Sequence, residues 1–481
     1  TGLMSYLFTD AEIHKAIGGN LAKKNWSVKG VSIDSRSIKK GELFIAIQAQ
    51  RDGHDFLISA IKNGAVAAIV TKIPIDAPIN FPYLLVEDSL KALNDLANFS
   101  RQRYKGKLVA VTGSVGKTST KGMLSKVLSK FGNTYCSPKS YNNHLGVPLT
   151  LSNIPLGTQY VICEIGMNSK GEIGPLSKLA APDIGIITNI SSAHLASFDS
   201  IENITQEKAM ICSGLVKGGL LLYPVDAPYP KHILSMIKKK EIRQVTFGCT
   251  PTSDVYMHKI MFNNNRTFID IDIQHVKNLR VDLNALGSHH AVNSLAVLGT
   301  VLELDLNLNK AIHYLKRWQP LVGRGKILDL KLKRGSEDVL IKVIDESYNC
   351  NPSSLKASLE VVKNLNFDFD LAWKGKPIQK IAVLGDMLEL GVRGKKFHKD
   401  IAKLENVKFL DRVHCIGELM EELHQNLSGK IKGLSVKSPK DFLPQLLSTI
   451  QDKDVYLVKG SNSIGLSLIV AELCKLNGQV I

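Results

Sequence analysis

The eight residues Thr112-Gly113-Ser114-Val115-Gly116-Lys117-Thr118-Ser119 limit what this chain can fold into more than any other segment. They follow the apolar run Leu108-Val109-Ala110-Val111 and lead into a stretch expected to be helical from Ser119 to Phe131. A buried strand that turns through glycines into a helix aims backbone N–H groups and the positive end of the helix dipole at one spot, which is what an anionic phosphate needs. In such a loop Gly113, Ser114, Val115 and Gly116 form the cradle and Lys117 neutralises the outer phosphates. The Thr118 hydroxyl can hold Mg²⁺, and Ser119 begins the helix. Two residues separate the glycines, where the ordinary phosphate loop has four, and this spacing points away from GTPases and motor-type ATPases. The alternative reading is a plain glycine turn.

Around the loop, strand, turn and helix recur. Leu108 to Thr112, Tyr160 to Ile165, Ile184 to Ile190 and Leu220 to Tyr223 read as short buried strands with helical stretches between them, a pattern that favours a parallel sheet covered on both faces. Val255 to Gln274, turning at Asn263-Asn264-Asn265, reads as a hairpin added to that sheet. With 481 residues, and roughly 100–200 residues per domain, about three domains are expected. The basic stretch Arg101 to Lys107 marks one boundary and Val322-Gly323-Arg324-Gly325 another. The expected architecture is α/β in three domains. A small N-terminal α/β domain covers 1–105, a central parallel-sheet phosphate-loop domain 106–320, and a C-terminal Rossmann-like α/β domain 321–481.

Composition narrows the class further. Hydrophobic residues at 44% and charged residues at 22% exclude collagen-like and largely disordered chains. No run approaches 18 uninterrupted apolar residues, so no membrane span is expected. No basic segment followed by an apolar one opens the sequence, and a cytoplasmic location is the expectation. Thr1 to Leu3, ahead of Met4, are set aside as foreign to the natural start. The seven cysteines are scattered, odd in number and never spaced C-x-x-C, which argues against a disulfide framework and a zinc site. The net charge of +17 is dispersed without an aromatic-interleaved stripe, so phosphorylated small molecules are favoured over nucleic acid as partners.

Further strings agree with the loop. Tyr141-Asn142-Asn143-His144-Leu145-Gly146-Val147-Pro148-Leu149-Thr150 follows it, Cys163-Glu164-Ile165-Gly166 ends one buried strand with a carboxylate, and Thr188-Asn189-Ile190 through His194 ends another with an imidazole. Strand carboxyl ends line the ligand crevice of an open α/β sheet. Read alone, Glu164 could equally be a solvated or capping carboxylate, and His194 an ordinary polar histidine. Gly287-Ser288-His289-His290-Ala291-Val292-Asn293 opens a helix expected over Ala291 to Leu304, and Asp345-Glu346-Ser347-Tyr348-Asn349-Cys350-Asn351-Pro352 follows another buried strand. For His290, Asn293 and Asp345 helix capping is the competing reading. Together these strings resemble the Mur ligases, the ATP-dependent amide ligases of peptidoglycan synthesis.

The resemblance implies ATP as the nucleotide and two Mg²⁺ ions held by Thr118, Glu164, His194 and Lys208. Lys208 would be carbamylated, which turns a cation into an anionic metal ligand and requires the neutral amine to be accessible. It also implies adenine contacts from His290 and Asn293, with His290 standing where the family has asparagine and lacking the amide's paired donor and acceptor. Arg324 would meet the ATP phosphates from the linker, and Asp345 the ribose. Lys117, Glu164, His194 and Lys208 would be the catalytic set.

Within the family, Asp345 to Pro352, Leu384 to Gly391, Asp34-Ser35-Arg36 and Asp52 to Phe56 most resemble the ligases that add D-alanyl-D-alanine to UDP-N-acetylmuramoyl-tripeptide. Those are the implied substrates of what would be a bacterial, monomeric enzyme: Ser35 and Arg36 would dock the uridine end, Asn142 and Asn143 would contact substrate, and Asp386 and Lys459 would lie near the incoming dipeptide. Gln50, where the family has glycine, and Asn462, where it has arginine, depart from that pattern. The rivals are another Mur-type or folylpolyglutamate-type ligase and, from a different class, a nucleotide-dependent nucleic-acid-binding ATPase. Dispersed charge and the shortened loop argue against the latter.

Overall fold

Alternating apolar strands and amphipathic helices build three main sheets in the computed structural model, which describes residues 6–192, 195–365 and 378–479. The first sheet has five strands in the order 20–21, 83–85, 67–70, 42–45, 30–32, all parallel except the first. Ala67–Val70 is buried at every position because helices cover both faces. The next helix, Leu57–Lys62, starts directly after a turn. Asp52 accepts from the His54 N–H and tightens Gly53–Phe56 into a 3₁₀ turn first. Helix Ser89–Arg103, capped by the Asp88 carboxylate, serves two cores: Leu93 and Leu96 pack against the first sheet, while Ala97 packs against the second.

The second sheet carries the phosphate loop. Its nine strands run in the order 276–283, 266–273, 255–263, 243–248, 220–224, 184–187, 107–112, 160–164, 134–136. From 243–248 to 134–136 they are parallel, and Lys107–Thr112 lies between Tyr160–Glu164 on one side and Ile184–Ile187 on the other. The chain reverses its direction of progress across the sheet at that strand. Such a switch point leaves a crevice beyond the strand carboxyl ends, and the loop opens into it. Helix Ser288–Glu303 covers the sheet and is buried over most of its length. Cutting Leu295 or Leu298 to alanine there would cost on the order of 2–5 kcal/mol.

The expected hairpin is one strand larger. Asn264 and Asn265, both at positive φ, make the two-residue turn between Val255–Asn263 and Arg266–Ile273, and Val276–Leu283 adds a third antiparallel strand. This last strand is half-buried or exposed up to Arg280 and buried only at Val281 and Leu283, at a sheet edge, so it lacks the continuous apolar run that marks the central strands.

The third sheet orders its strands 326–334, 337–346, 455–459, 380–385, 412–416, 432–436. The first two form an antiparallel hairpin and the others are parallel. Charged residues alternate along Lys326–Arg334, which is why only the end of this hairpin, Ile341 to Asp345, reads as a strand from its apolar content. No helix among the described residues is long and apolar enough to cross a membrane.

Candidate active site

The phosphate loop is held open by the neighbouring strand end. Ser114 N–H donates to the Asn189 carbonyl at 2.9 Å, and Val115 N–H to the Asn189 side chain at 3.2 Å. Ser114 Oγ donates to the Ser191 carbonyl, while Thr188 Oγ1 donates to the Val115 carbonyl at 2.5 Å. A Cβ on Gly113 would sit 1.8 Å from Thr188 Oγ1, so only glycine lets the two strand ends approach. Gly116 adopts φ 86 and lies against Asn293, whose amide a Cβ would meet at 2.8 Å. Helix Lys117–Leu128 starts at once, two residues earlier than Ser119.

Beyond the loop lies a cavity of about 410 Å³. Ser114, Val115, Gly116, Lys117 and Ser119 line it from the loop, and Asn142 and Glu164 from the following segments. His290, Asn293, Arg324 and Lys459 close it from the helix, the linker and the third sheet. Eleven of the residues singled out from the sequence therefore share one enclosure. Its chemistry centres on Glu164, which is 1% exposed. Thr118 Oγ1 donates to that carboxylate at 3.1 Å and Asn142 Nδ2 at 2.9 Å, with Lys121 Nζ 3.7 Å away. Paired carboxylate and hydroxyl oxygens suit a hard cation such as Mg²⁺, which keeps several waters and takes the rest of its shell from substrate phosphates.

Burial lowers the proton affinity of two lysines at the site. Burial foremost, together with the nearby Arg324 cation, lowers the proton affinity of Lys117, and Glu164 opposes this. Its Nζ rests on the Gly113 carbonyl at 2.8 Å. Lys208 is 1% exposed in helix Ile201–Ala209, and its Nζ lies 3.8 Å from Met167 Sδ, a side chain of the cavity wall. Burial, with Lys117 next in weight, drives its proton affinity well below the usual lysine range.

The linker reaches across to the loop. Arg324 Nη2 donates to Ser140 Oγ at 3.0 Å, and its guanidinium lies 3.9 Å over the Tyr348 ring. His290 lies against His289 with ring centroids 3.8 Å apart and planes tilted by 44°, and meets Trp318 edge-on at 5.1 Å. Burial keeps it neutral, and its Nδ1 has no partner among the described residues.

Five expected contact residues, Asp345, Asn143, Asp386, Ser35 and Arg36, do not line this cavity. Asp345 is buried and faces away from the cavity: its carboxylate accepts from Gly323 N–H at 2.7 Å and from Ser347 Oγ at 2.6 Å, so it fixes the linker turn while Glu346 lines the cavity instead. Asn143 Oδ1 accepts from Leu145 and Gly146 N–H and caps the helix that follows, leaving Asn142 as the cavity residue. The Asp386 carboxylate accepts from Met420 N–H at 2.7 Å, a cap reinforced by the tight approach of Gly417. Arg36 is paired with Asp34 at the surface and Ser35 is buried beside Asn63, both in the first sheet's loops outside this cavity. His194 lies outside the described residues.

Sequence reasoning passed over Ser140, Glu346 and Tyr348 as site residues. Ser140 and Glu346 each adjoin a segment or residue that was singled out, and neither carries a periodic or spacing signal of its own. Lys459, expected near the incoming dipeptide, shares the nucleotide-side cavity, where its Nζ donates to the Asn349 carbonyl at 2.8 Å and lies 3.4 Å from Glu346.

Comparison with known proteins agrees with this geometry. Mur ligase family, catalytic domain matches residues 27–101, Mur ligase middle domain 111–301, and Mur ligase, glutamate ligase domain 332–462. The UDP-N-acetylmuramoyl-tripeptide--D-alanyl-D-alanine ligase of Rickettsia prowazekii (strain Madrid E) is 31% identical over 92% of this chain and 94% of its own length. This chain belongs to the Mur ligase family. Mur ligases are ATP-dependent enzymes, and the phosphate loop of this member is in the middle domain. Crystal structure I of MurF from Acinetobacter baumannii superposes with a TM-score of 0.81 at 27% identity, covering 97% of this chain and 99% of that one. The MurF ligase of Thermotoga maritima, solved in complex with ADP, gives 0.76 at 25% identity, over 93% and 98%.

Proposed function

We propose that this Mur ligase joins D-alanyl-D-alanine to UDP-N-acetylmuramoyl-tripeptide, converting ATP to ADP and orthophosphate, in bacterial peptidoglycan precursor synthesis. The observation that carries the reading is the meeting of the loop, Glu164 and the linker Arg324 in one cavity, with the Thr118 hydroxyl bonded to Glu164 behind it, in a chain similar along nearly its whole length to ligases of that name. The enzyme acts in the cytoplasm as a monomer. The unit over 1–105 binds the uridine end through Ser35 and Arg36, the unit over 106–320 binds ATP, and the unit over 321–481 brings the amine substrate.

The tripeptide carboxylate attacks the γ-phosphorus and forms an acyl phosphate. The amine of the dipeptide then attacks the acyl carbon and expels phosphate. Both partners of the first step are anions, so the site must offset their repulsion. Lys117 leaves the Gly113 carbonyl for the outer phosphates, Arg324 covers the γ-phosphate from the linker, and the Ser114–Ser119 amides cradle the chain of phosphates. Asn142 and Lys121 hold the Glu164 carboxylate facing the Thr118 hydroxyl. Mg²⁺ bound by Thr118 and Glu164, and by His194 with carbamylated Lys208, would supply charge neutralisation at the phosphates. Lys208 fits this role because burial among apolar groups favours its neutral amine, the form that reacts with carbon dioxide.

Phosphate release by the purified chain tests the reading. Release should need ATP, the muramyl tripeptide and D-alanyl-D-alanine together. Equal release with a single amino acid in place of the dipeptide would point to a different Mur ligase reaction.

A further inference from the structure

A second cavity, of about 780 Å³, backs onto the first. The two share Ser140, Arg324 and Tyr348. The wall between them is made of side chains: Ser140 Oγ lies 3.1 Å from Thr118 Oγ1 and accepts from Arg324 Nη2 at 3.0 Å, with Arg324 resting on the Tyr348 ring. Rotating Ser140 and Arg324 costs two hydrogen bonds and leaves the backbone in place.

The far side of this wall is cationic. Lys121, Lys126, Lys139, Arg317 and Arg324 line the second cavity, and no carboxylate does among the described residues. Lys121 lies 3.7 Å from Glu164, whereas Lys126, Lys139, Arg317 and Arg324 bring no carboxylate of their own to the cavity lining. A path lined by one sign of charge lowers the energy of a small anion along it, more so where water is partly excluded.

We propose that this cavity is the exit route of the orthophosphate product, with the Ser140–Arg324 hydrogen bond as its gate. The inference rests on the ligase reading above. When the dipeptide amine attacks, the C–N bond forms and the acyl C–O bond breaks, and the phosphate departs with that electron pair. Of the ammonium's three protons, one stays on the amide nitrogen, one goes to the phosphate and one to solvent. The phosphate is then released beside Thr118 and Arg324, with ADP filling the nucleotide side of the first cavity and the amide product its substrate side. The wall toward the second cavity is the side that neither product occupies. Inorganic phosphate is the ligand, and Lys126 and Arg317 act as guides outside the reacting centre.

The test is rapid-quench measurement of ADP and amide in the first turnover, alongside stopped-flow detection of free phosphate with a fluorescent sensor. In the Lys126→Glu/Arg317→Glu variant, ADP and amide should form at the unmodified rate while phosphate release lags, slowed by about tenfold. The charge-conserving Lys126→Arg/Arg317→Lys variant should restore prompt release and exclude a folding defect. Unchanged release in the charge-reversed variant would overturn the route. Failure of the unmodified chain to form ADP with both substrates would overturn the ligase reading itself, a result the sensor and quench data distinguish from a lag.

Discussion

Lys117 and Lys208 show how position sets what a lysine can do. Burial is the main cause that lowers the proton affinity of both, yet Lys117 rests on the Gly113 carbonyl and Lys208 lies beside Met167. Lys117→Ala should leave the circular dichroism spectrum and melting profile nearly unchanged while lowering kcat at least on the order of 10²–10³-fold, since it removes a charge that the transition state needs. Normal turnover by that variant would refute the loop assignment. Lys208 gives a different signature. Activity should fall in carbon-dioxide-depleted buffer and return on adding bicarbonate, and should fall again as acid protonates the amine that must react. Carbon-13 NMR of protein equilibrated with labelled bicarbonate should show a carbamate resonance that Lys208→Ala lacks.

At the scale of elements, strand ends and the turns after them decide the site. Asp345, at the end of strand Glu337–Glu346, holds the Gly323 N–H that positions Arg324. Asp345→Ala leaves a buried donor unsatisfied and should destabilise the protein by about 1–3 kcal/mol. On the function proposed above, in which Arg324 serves the phosphate in flight, it should also lower kcat more than it raises KM for ATP. A KM effect alone would return Asp345 to the ribose. Strand Arg412–Ile416 carries an acid-sensitive group. His414 accepts from Leu434 N–H at 3.0 Å, and burial foremost, with Arg412 beside it, pushes its pKa from 6.5 down to about 4. Between those values the unfolded chain binds a proton that the folded chain refuses, so stability falls as pH drops through the window, by roughly 3 kcal/mol at about 1.36 kcal/mol per pH unit. The loss levels off once the folded imidazole titrates too. His414→Asn, which keeps an acceptor toward Leu434, should flatten this acid limb of denaturant midpoints measured from pH 7 to 4, and an unchanged limb would assign it to other groups.

At the scale of the molecule, the cavity is walled by the middle unit and by Arg324, Glu346 and Lys459 of the segment that follows. Binding that neutralises charge across this seam should draw the units together, so the radius of gyration from X-ray scattering should decrease when a non-hydrolysable ATP analogue and the muramyl tripeptide are added. No change with saturating ligands would mean that the arrangement described is already the closed one. The sequence by itself determined the α/β class, the loop and the strand end that carries Glu164, because these depend on apolar runs, glycine turns and helix starts read over a few neighbouring residues. Only the tertiary structure decided between neighbours: Asn142 over Asn143, Glu346 over Asp345, and Asp386 as a cap. Adjacent residues on a strand or turn have the same local signals but point to opposite sides, and which side faces the cavity depends on partners such as Gly323 and Met420, 22 and 34 residues away in the chain.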